Sequence, residues 1–186
     1  LHKDLSLPWN ASACAAAASN GHVDCLIYLH KHGCPWDAST LQSAGTGGHL
    51  ACLKYAHSHG CPHNDMIVIS GAVESGHLDC VQYMIDNALH TSDGTYDIYA
   101  EAAALKSAAI LAYLLSKNIG SSDEVCNSAA THGSLACLEY AFNHGCNLDR
   151  SAYLPAQAGH LDCLTFALAH QEALSAYALG QICNVA

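Results

Sequence analysis

This chain predicts an all-α solenoid of helix-turn-helix repeats, on the strength of three observations. First, a five-residue phrase recurs, as Gly21-His22-Val23-Asp24-Cys25, Gly48-His49-Leu50-Ala51-Cys52, Gly76-His77-Leu78-Asp79-Cys80, Gly133-Ser134-Leu135-Ala136-Cys137 and Gly159-His160-Leu161-Asp162-Cys163. With a degenerate copy at Lys106-Ser107-Ala108-Ala109-Ile110, successive copies stand 27, 28, 30, 27 and 26 residues apart. A period between about 20 and 50 residues marks stacked units that cannot bury their apolar faces alone. Second, apolar residues at helical spacing follow each copy. Third, a helix-capping residue type stands sixteen positions after the start of each copy. About six full repeats are expected, with a partial repeat at either end, in one domain over residues 1–186.

Each phrase opens a helix, which we call the phrase helix. In the second copy Leu50, Leu53 and Ala56 share one face, Cys52 and Tyr55 flank it, and Ala51, Lys54 and Ser58 point away. An aromatic residue follows each leading position by seven: Tyr28, Tyr55, Tyr83, Tyr113, Tyr140 and Phe166. Equivalent rings on neighbouring helices are expected to stack on one another. The phrase helix stops at Gly33, Gly60 and Gly145, with Pro35 or Pro62 behind two of them, as a left-handed C-terminal cap requires.

Sixteen residues after each leading position stand Asp37, Asn64, Ser92, Ser122, Asp149 and Ser175, with Asn10 in the same place upstream. Side chains of Asp, Asn and Ser accept a hydrogen bond from the first free amides of a helix. A second, shorter helix is therefore expected from each, running to the next phrase; we call it the capped helix. Its small residues, Ala15 to Ala18, Ala44, Gly71, Ala72, Ala129, Ala130 and Ala156, allow close helix approach. No segment alternates apolar and polar residues long enough to be a strand.

The pattern Ala-Ala…Gly-His-Leu-x-Cys-Leu-x-Tyr…His-Gly-Cys-Pro-Trp-Asp resembles the short ankyrin-like repeats abundant in protists, algae and large DNA viruses. The resemblance covers nearly the whole chain. It implies an ankyrin-like α-solenoid whose surface binds another protein, as a scaffold or adaptor. Standard ankyrin repeats of about 33 residues also carry a β-hairpin finger. Here only Cys61, Pro62 and His63 separate Gly60 from Asn64, and the Thr-Pro-Leu-His start is missing as well. Since fingers often carry ligand contacts in that family, their absence moves the expected binding site to the surface of the capped helices.

Composition narrows the function further. The chain is 51% hydrophobic but only 12% charged, about half the usual share. A small-residue-rich repeat family and a chain held permanently against partners both fit that. A structural or linker subunit of a large assembly is accordingly the alternative to an adaptor. A net charge of −10 with six Lys plus Arg argues against nucleic acid, whose phosphates require a basic face. The longest apolar run, Ala108 to Leu115, is far shorter than the roughly 20 residues of a membrane-spanning helix. The opening Leu1-His2-Lys3 matches Leu29-His30-Lys31 inside a repeat, so the chain is expected to be a segment of a longer one.

Ten of the eleven cysteines follow the repeat. Cys25, Cys52, Cys80, Cys137 and Cys163 share one phrase-helix position, Cys34, Cys61 and Cys146 share the loop, and Cys14 and Cys126 share the capped helix. Reduced, buried thiols are expected, and with them a reducing intracellular compartment such as cytoplasm or nucleus, an organelle remaining open. His57, His59, Cys61 and His63 cluster locally but lack the paired spacing of a zinc site, so no metal and no cofactor is assigned. Phrase histidines are read as turn residues bonding the backbone, and His32, His59 and His144 as suited to the negative end of the helix dipole. Gly45, Gly47 and Gly48 follow no strand, and no Ser/His/Asp set or paired carboxylate separates from the repeat. The chain is not expected to be an enzyme.

The candidate partner-binding residues lie on the capped helices and the turns after them. Five residues past each cap the identity changes freely, through Ala15, Gln42, Ile69, Asn127 and Leu154, and the turn side adds Thr46, Glu74, His132 and Gln157. Ile69 and Leu154 would be exposed apolar anchors in a polar rim. The fourth unit departs most from the pattern, and its loop Asn87-Ala88-Leu89-His90-Thr91-Ser92-Asp93-Gly94-Thr95-Tyr96-Asp97 is either drift in a tolerant surface segment or a bulge presenting Tyr96, Asp97 and Tyr99.

Overall fold

The computed structural model describes residues 9–87, 102, 107–117, 122–148 and 153–170. Among the described residues there are eleven α-helices and no strand. The chain forms two compact units, Leu1–Gly94 and Thr95–Ala186. Unit 1 contains α1 (Ala11–Ser19), α2 (Val23–Lys31), α3 (Ala38–Thr46), α4 (Leu50–Ser58), α5 (Asp65–Glu74) and α6 (Leu78–Asp86). Unit 2 contains α7 (Ala108–Ser116), α8 (Ser122–His132), α9 (Leu135–Asn143), α10 (Tyr153–Ala158) and α11 (Leu161–Ala169). Capped helices are α1, α3, α5, α8 and α10, and the rest are phrase helices.

The capping chemistry is visible where the sequence places it. Asp37 accepts the amide of Ser39, and Asn64 accepts that of Ile67, each from extended backbone before the helix. Asn10 stands at the same place in extended backbone, but its side chain accepts no amide of α1. At α8 the helix already includes Ser122, one position beyond where a cap would stand. Ser92, Asp149 and Ser175 lie outside the described residues. Four of the five capped helices are not the shorter ones: α1 and α3 have nine residues, as the phrase helices do, α5 has ten and α8 eleven, while α10 is described over six. Their small residues shorten the distance between helices, not the helices themselves.

The phrase is the corner between two helices. At Gly48 the backbone turns left-handed (φ 71°), its amide bonds Gly45 O, and the His49 amide bonds Ala44 O. Together these form a Schellman motif, which satisfies the last carbonyls of the capped helix. His49 then serves as the residue before α4. The same double bond closes phrase helices, through Gly33 to His30 and Cys34 to Leu29, and through Gly60 to His57 and Cys61 to Ala56.

Within each unit the core runs as a stripe between the two rows of helices. In α4 Cys52, Leu53 and Ala56 are fully buried while Ala51, Lys54 and Ser58 are exposed, as the periodicity requires. Leu26, Val81, Met84, Leu111, Leu114 and Leu138 continue the stripe in other phrase helices. Capped helices α1, α3 and α5 pack on one another more closely than phrase helices α2, α4 and α6 do. The cause is local: a methyl group on Gly45 would stand 3.0 Å from Val68 Cγ1 and 3.1 Å from Val68 O, and one on Gly71 would strike Thr46 Oγ1.

Successive phrases also interlock. The imidazole of His49 lies over Gly21, where an added Cβ would come within 2.6 Å of the ring. His160 lies over Gly133 in the same way, at 2.5 Å, and His77 over Gly48. His49 Nε2 lies 3.0 Å from Ser19 O, and because a carbonyl only accepts, this nitrogen carries the proton. The histidine thus caps the last residue of the capped helix one repeat back.

These contacts separate two classes of glycine. Gly60 has positive φ but open space around it, so Gly60→Ala should lower stability by about 1–2 kcal/mol, the cost of a left-handed non-glycine residue. Gly48→Ala should cost more, because the new methyl also meets His77. In a His77→Ala background its cost should shrink to that of Gly60→Ala. Urea midpoints read by far-ultraviolet circular dichroism check this, and equal losses at both glycines in the wild-type background would contradict it.

Candidate interaction surface

Capped helices place several of the expected residues in solvent. Gln42 and Thr46 are exposed on α3 and Glu74 is exposed at the end of α5. Since Thr46 Oγ1 overlies Gly71, these three stand on two helices in direct contact. In unit 2, Asn127 is half-buried and His132 exposed on α8, while Leu154 is half-buried and Gln157 exposed on α10. His132 is fixed by its own helix, with Nδ1 donating to Ser128 O at 2.9 Å. Tyr96, Asp97 and Tyr99 lie outside the described residues.

Ile69 is a correction, being fully buried together with Val68, Val73 and Ala72. Its neighbour Ile67 takes the solvent position instead, at 48% exposure. Burying a large aliphatic side chain stabilises by about 1.5–3 kcal/mol, so a helix carrying Ile67, Val68 and Ile69 keeps most of that run inside. A position that varies among repeats is therefore not always an exposed one. Leu154, half-buried, is an incomplete anchor.

A second row of side chains has no counterpart among the expected site residues. Equivalent tyrosines do not stack on one another among the described residues; the residue nine positions after the leading glycine meets the aromatic of the next repeat. His30 Nδ1 hydrogen-bonds Tyr55 Oη at 2.9 Å, and His57 Nδ1 hydrogen-bonds Tyr83 Oη at 2.7 Å. In unit 2 the same rung is an edge-on pair of Phe142 and Phe166, 5.7 Å apart. Trp36 stacks on His30 at 3.8 Å, and Tyr28 remains 49% exposed. Phrase helices stand too far apart for tyrosine alone to bridge, so an imidazole or phenyl ring fills the gap. The recurrence of His30 and His57 at one register, with Phe142 replacing them, is the signal by which the sequence marks it.

Histidines at the ends of phrase helices form a third set. Nδ1 of His32, His59, His144 and His170 donates to the carbonyl four residues back, at 2.8, 2.8, 2.8 and 2.9 Å. Each ring also lies on the aromatic of that residue, with centroids 4.0 to 4.3 Å apart. These histidines cap helix C-termini, as their place at the negative end of the dipole leads one to expect. His57, His59, Cys61 and His63 have other partners: His57 bonds Tyr83, His59 bonds Tyr55 O, Cys61 Sγ bonds Asp37 O, and His63 meets Asp65 at 3.0 Å while its ring lies edge-on to His57. Among the described residues no group of three His, Cys, Asp or Glu could hold a metal ion.

The cysteines require one correction. Most of the described ones are buried, and burial pushes the thiols of Cys61 and Cys80 up to about 11. Cys25 is exposed, and Cys126 and Cys146 are joined as a disulfide, so uniform burial and reduction do not hold. The capped-helix position of Cys126 faces the turn that closes the phrase helix, with Cα atoms 6.4 Å apart, inside disulfide range.

No family model matches the chain, and no curated protein matches it. Among solved structures it is similar to the ankyrin repeat domain of human ASB11, with a TM-score of 0.74 over 87% of this chain and 85% of that one. Sequence identity is 18%, so the likeness is one of fold. The all-helical solenoid expected from the phrase period, ankyrin-like by the resemblance of its repeat pattern, is the fold observed. Among the described residues no helix is long and apolar enough to cross a membrane.

His30 makes part of this surface sensitive to pH. Burial, and secondarily the neighbouring His59, lower its pKa from the ordinary 6.5. The folded chain therefore holds that proton more weakly than the unfolded chain, and the His30 contribution to stability falls as pH drops below 6.5. The urea midpoint of His30→Gln should change less between about pH 7.5 and pH 5.5 than that of wild type. An unchanged pH slope in the variant would contradict this.

Proposed function

We propose that the chain binds a partner protein across its capped helices, as a scaffold or adaptor and not as an enzyme. The observation that carries this is the placement of Gln42, Thr46 and Glu74 in solvent on two helices held in contact by Gly71. A rigid row of chemically diverse exposed residues on a small-residue framework gives a partner a defined surface without an enclosed pocket. In unit 2 Asn127, His132, Leu154 and Gln157 take the corresponding role, and Tyr96, Asp97 and Tyr99 belong to the same proposal. The ankyrin-repeat fold, generally an interaction module, supports it. So does the net charge of −10, which suits a protein partner better than nucleic acid. The short-repeat type seen in protists, algae and large DNA viruses, in one repeat domain over residues 1–186, completes the reading.

The test is a comparison of two triple variants against partners captured by the wild-type chain. Gln42→Lys, Thr46→Lys and Glu74→Lys together should weaken binding at least tenfold, about 1.4 kcal/mol, with helicity retained. Asp24→Ala, Lys54→Ala and Gln82→Ala on the phrase helices should leave it within a factor of about two. The reverse pattern would place the partner on the phrase-helix side.

A further inference from the structure

The disulfide of unit 2 has a counterpart in unit 1. Cys14 and Cys126 occupy one register of the capped helix, and Cys34 and Cys146 directly follow the glycine that ends the next phrase helix. The separation is 20 residues in both pairs. In unit 1 Cys14 is fully buried and Cys34 is 4% exposed, with Cys34 Sγ donating to Asn10 O at 3.5 Å. In the intervening repeat Cys61 is present in the turn and donates to Asp37 O at 3.3 Å, as Cys34 does to Asn10 O, but its capped-helix counterpart is Leu41 and no second thiol is there. Shared register with the bonded pair of unit 2, and not the turn bond, is what singles out Cys14 and Cys34.

We propose that Cys14 and Cys34 are a second dithiol site of the same kind, oxidised by a low-molecular-weight disulfide such as oxidised glutathione to a bond tying α1 to the turn after α2. Cys34 enters first, because it retains some exposure and stands in a turn. Deprotonated, its sulfur attacks one sulfur of oxidised glutathione, forming a mixed disulfide and expelling glutathione thiolate. Cys14 then gives up its proton and attacks the Cys34 sulfur, releasing the second glutathione. Two thiols lose two electrons and two protons, and one small disulfide becomes two thiols. Burial, and secondarily the neighbouring Cys34, push the Cys14 thiol up to about 12, so the second step is the slow one. Closure restrains the unfolded chain and raises the stability of the repeat that begins unit 1.

The test refolds the whole chain from its reduced, denatured state in glutathione buffers of oxidising and reducing ratio, so that burial cannot withhold a thiol from the oxidant. Remaining thiols are alkylated under denaturing conditions and linked peptides are mapped by mass spectrometry. In the oxidising buffer both Cys14–Cys34 and Cys126–Cys146 peptides are expected, with a urea midpoint above that in the reducing buffer. Cys14→Ala should abolish the first peptide and part of the midpoint shift, and Cys25→Ala should change neither. Cys34→Ser serves as the second variant if Cys14→Ala fails to fold by circular dichroism. Alkylation of both Cys14 and Cys34 in oxidised wild type would overturn the proposal. Linkage of Cys14 to Cys25, or formation of neither pair, would overturn it too.

Discussion

A histidine ring seated on the glycine of the preceding phrase is the contact on which this architecture depends. Gly21 and His49, Gly48 and His77, and Gly133 and His160 form three instances. One glycine meets two demands at once: a left-handed turn that ends the capped helix, and a bare Cα onto which the next repeat can lay an imidazole. The ring in turn carries a hydrogen bond to the carbonyl at the end of the capped helix one repeat back, seen at His49 and Ser19. Local helix termination and inter-repeat stacking therefore share the same two residues.

The two rows of helices solve their packing problems with different chemistry. Along the capped helices, glycine and alanine let backbones approach so closely that a methyl on Gly45 would stand 3.1 Å from Val68 O. Along the phrase helices, where the spacing is wider, rings of histidine, tyrosine and phenylalanine span the gap, and terminal histidines cap the last carbonyls. Polar residues left in solvent on the tight side are held by neighbours that cannot move independently, which is what a specific protein contact requires.

Much of this was legible in the sequence, because the informative residues do local jobs. Asp37 and Asn64 act on amides within their own helix, and Gly33 and Gly60 end helices by their own backbone, so type and position suffice to find them. What escaped depends on contacts between repeats. Tyr55 was assigned to Tyr–Tyr stacking, but its partner is His30, nine positions along the preceding phrase. Ile69 varied as a surface residue would, yet the apolar run around it turned it inward. The Cys126–Cys146 pair was hidden by the regularity of its members: each fits its repeat register, and only their shared repeat shows that they meet.

Histidine chemistry offers the most direct access to the central contact. If His49 caps Ser19 from its seat on Gly21, nitrogen-15 spectra of the neutral ring must show the proton on Nε2, in slow exchange with water. His32, His59, His144 and His170, which bond through the other nitrogen, must show the Nδ1-protonated tautomer in the same spectrum. Finding His49 protonated at Nδ1, or exchanging as fast as a free imidazole, would contradict the account of how one repeat is held on the next.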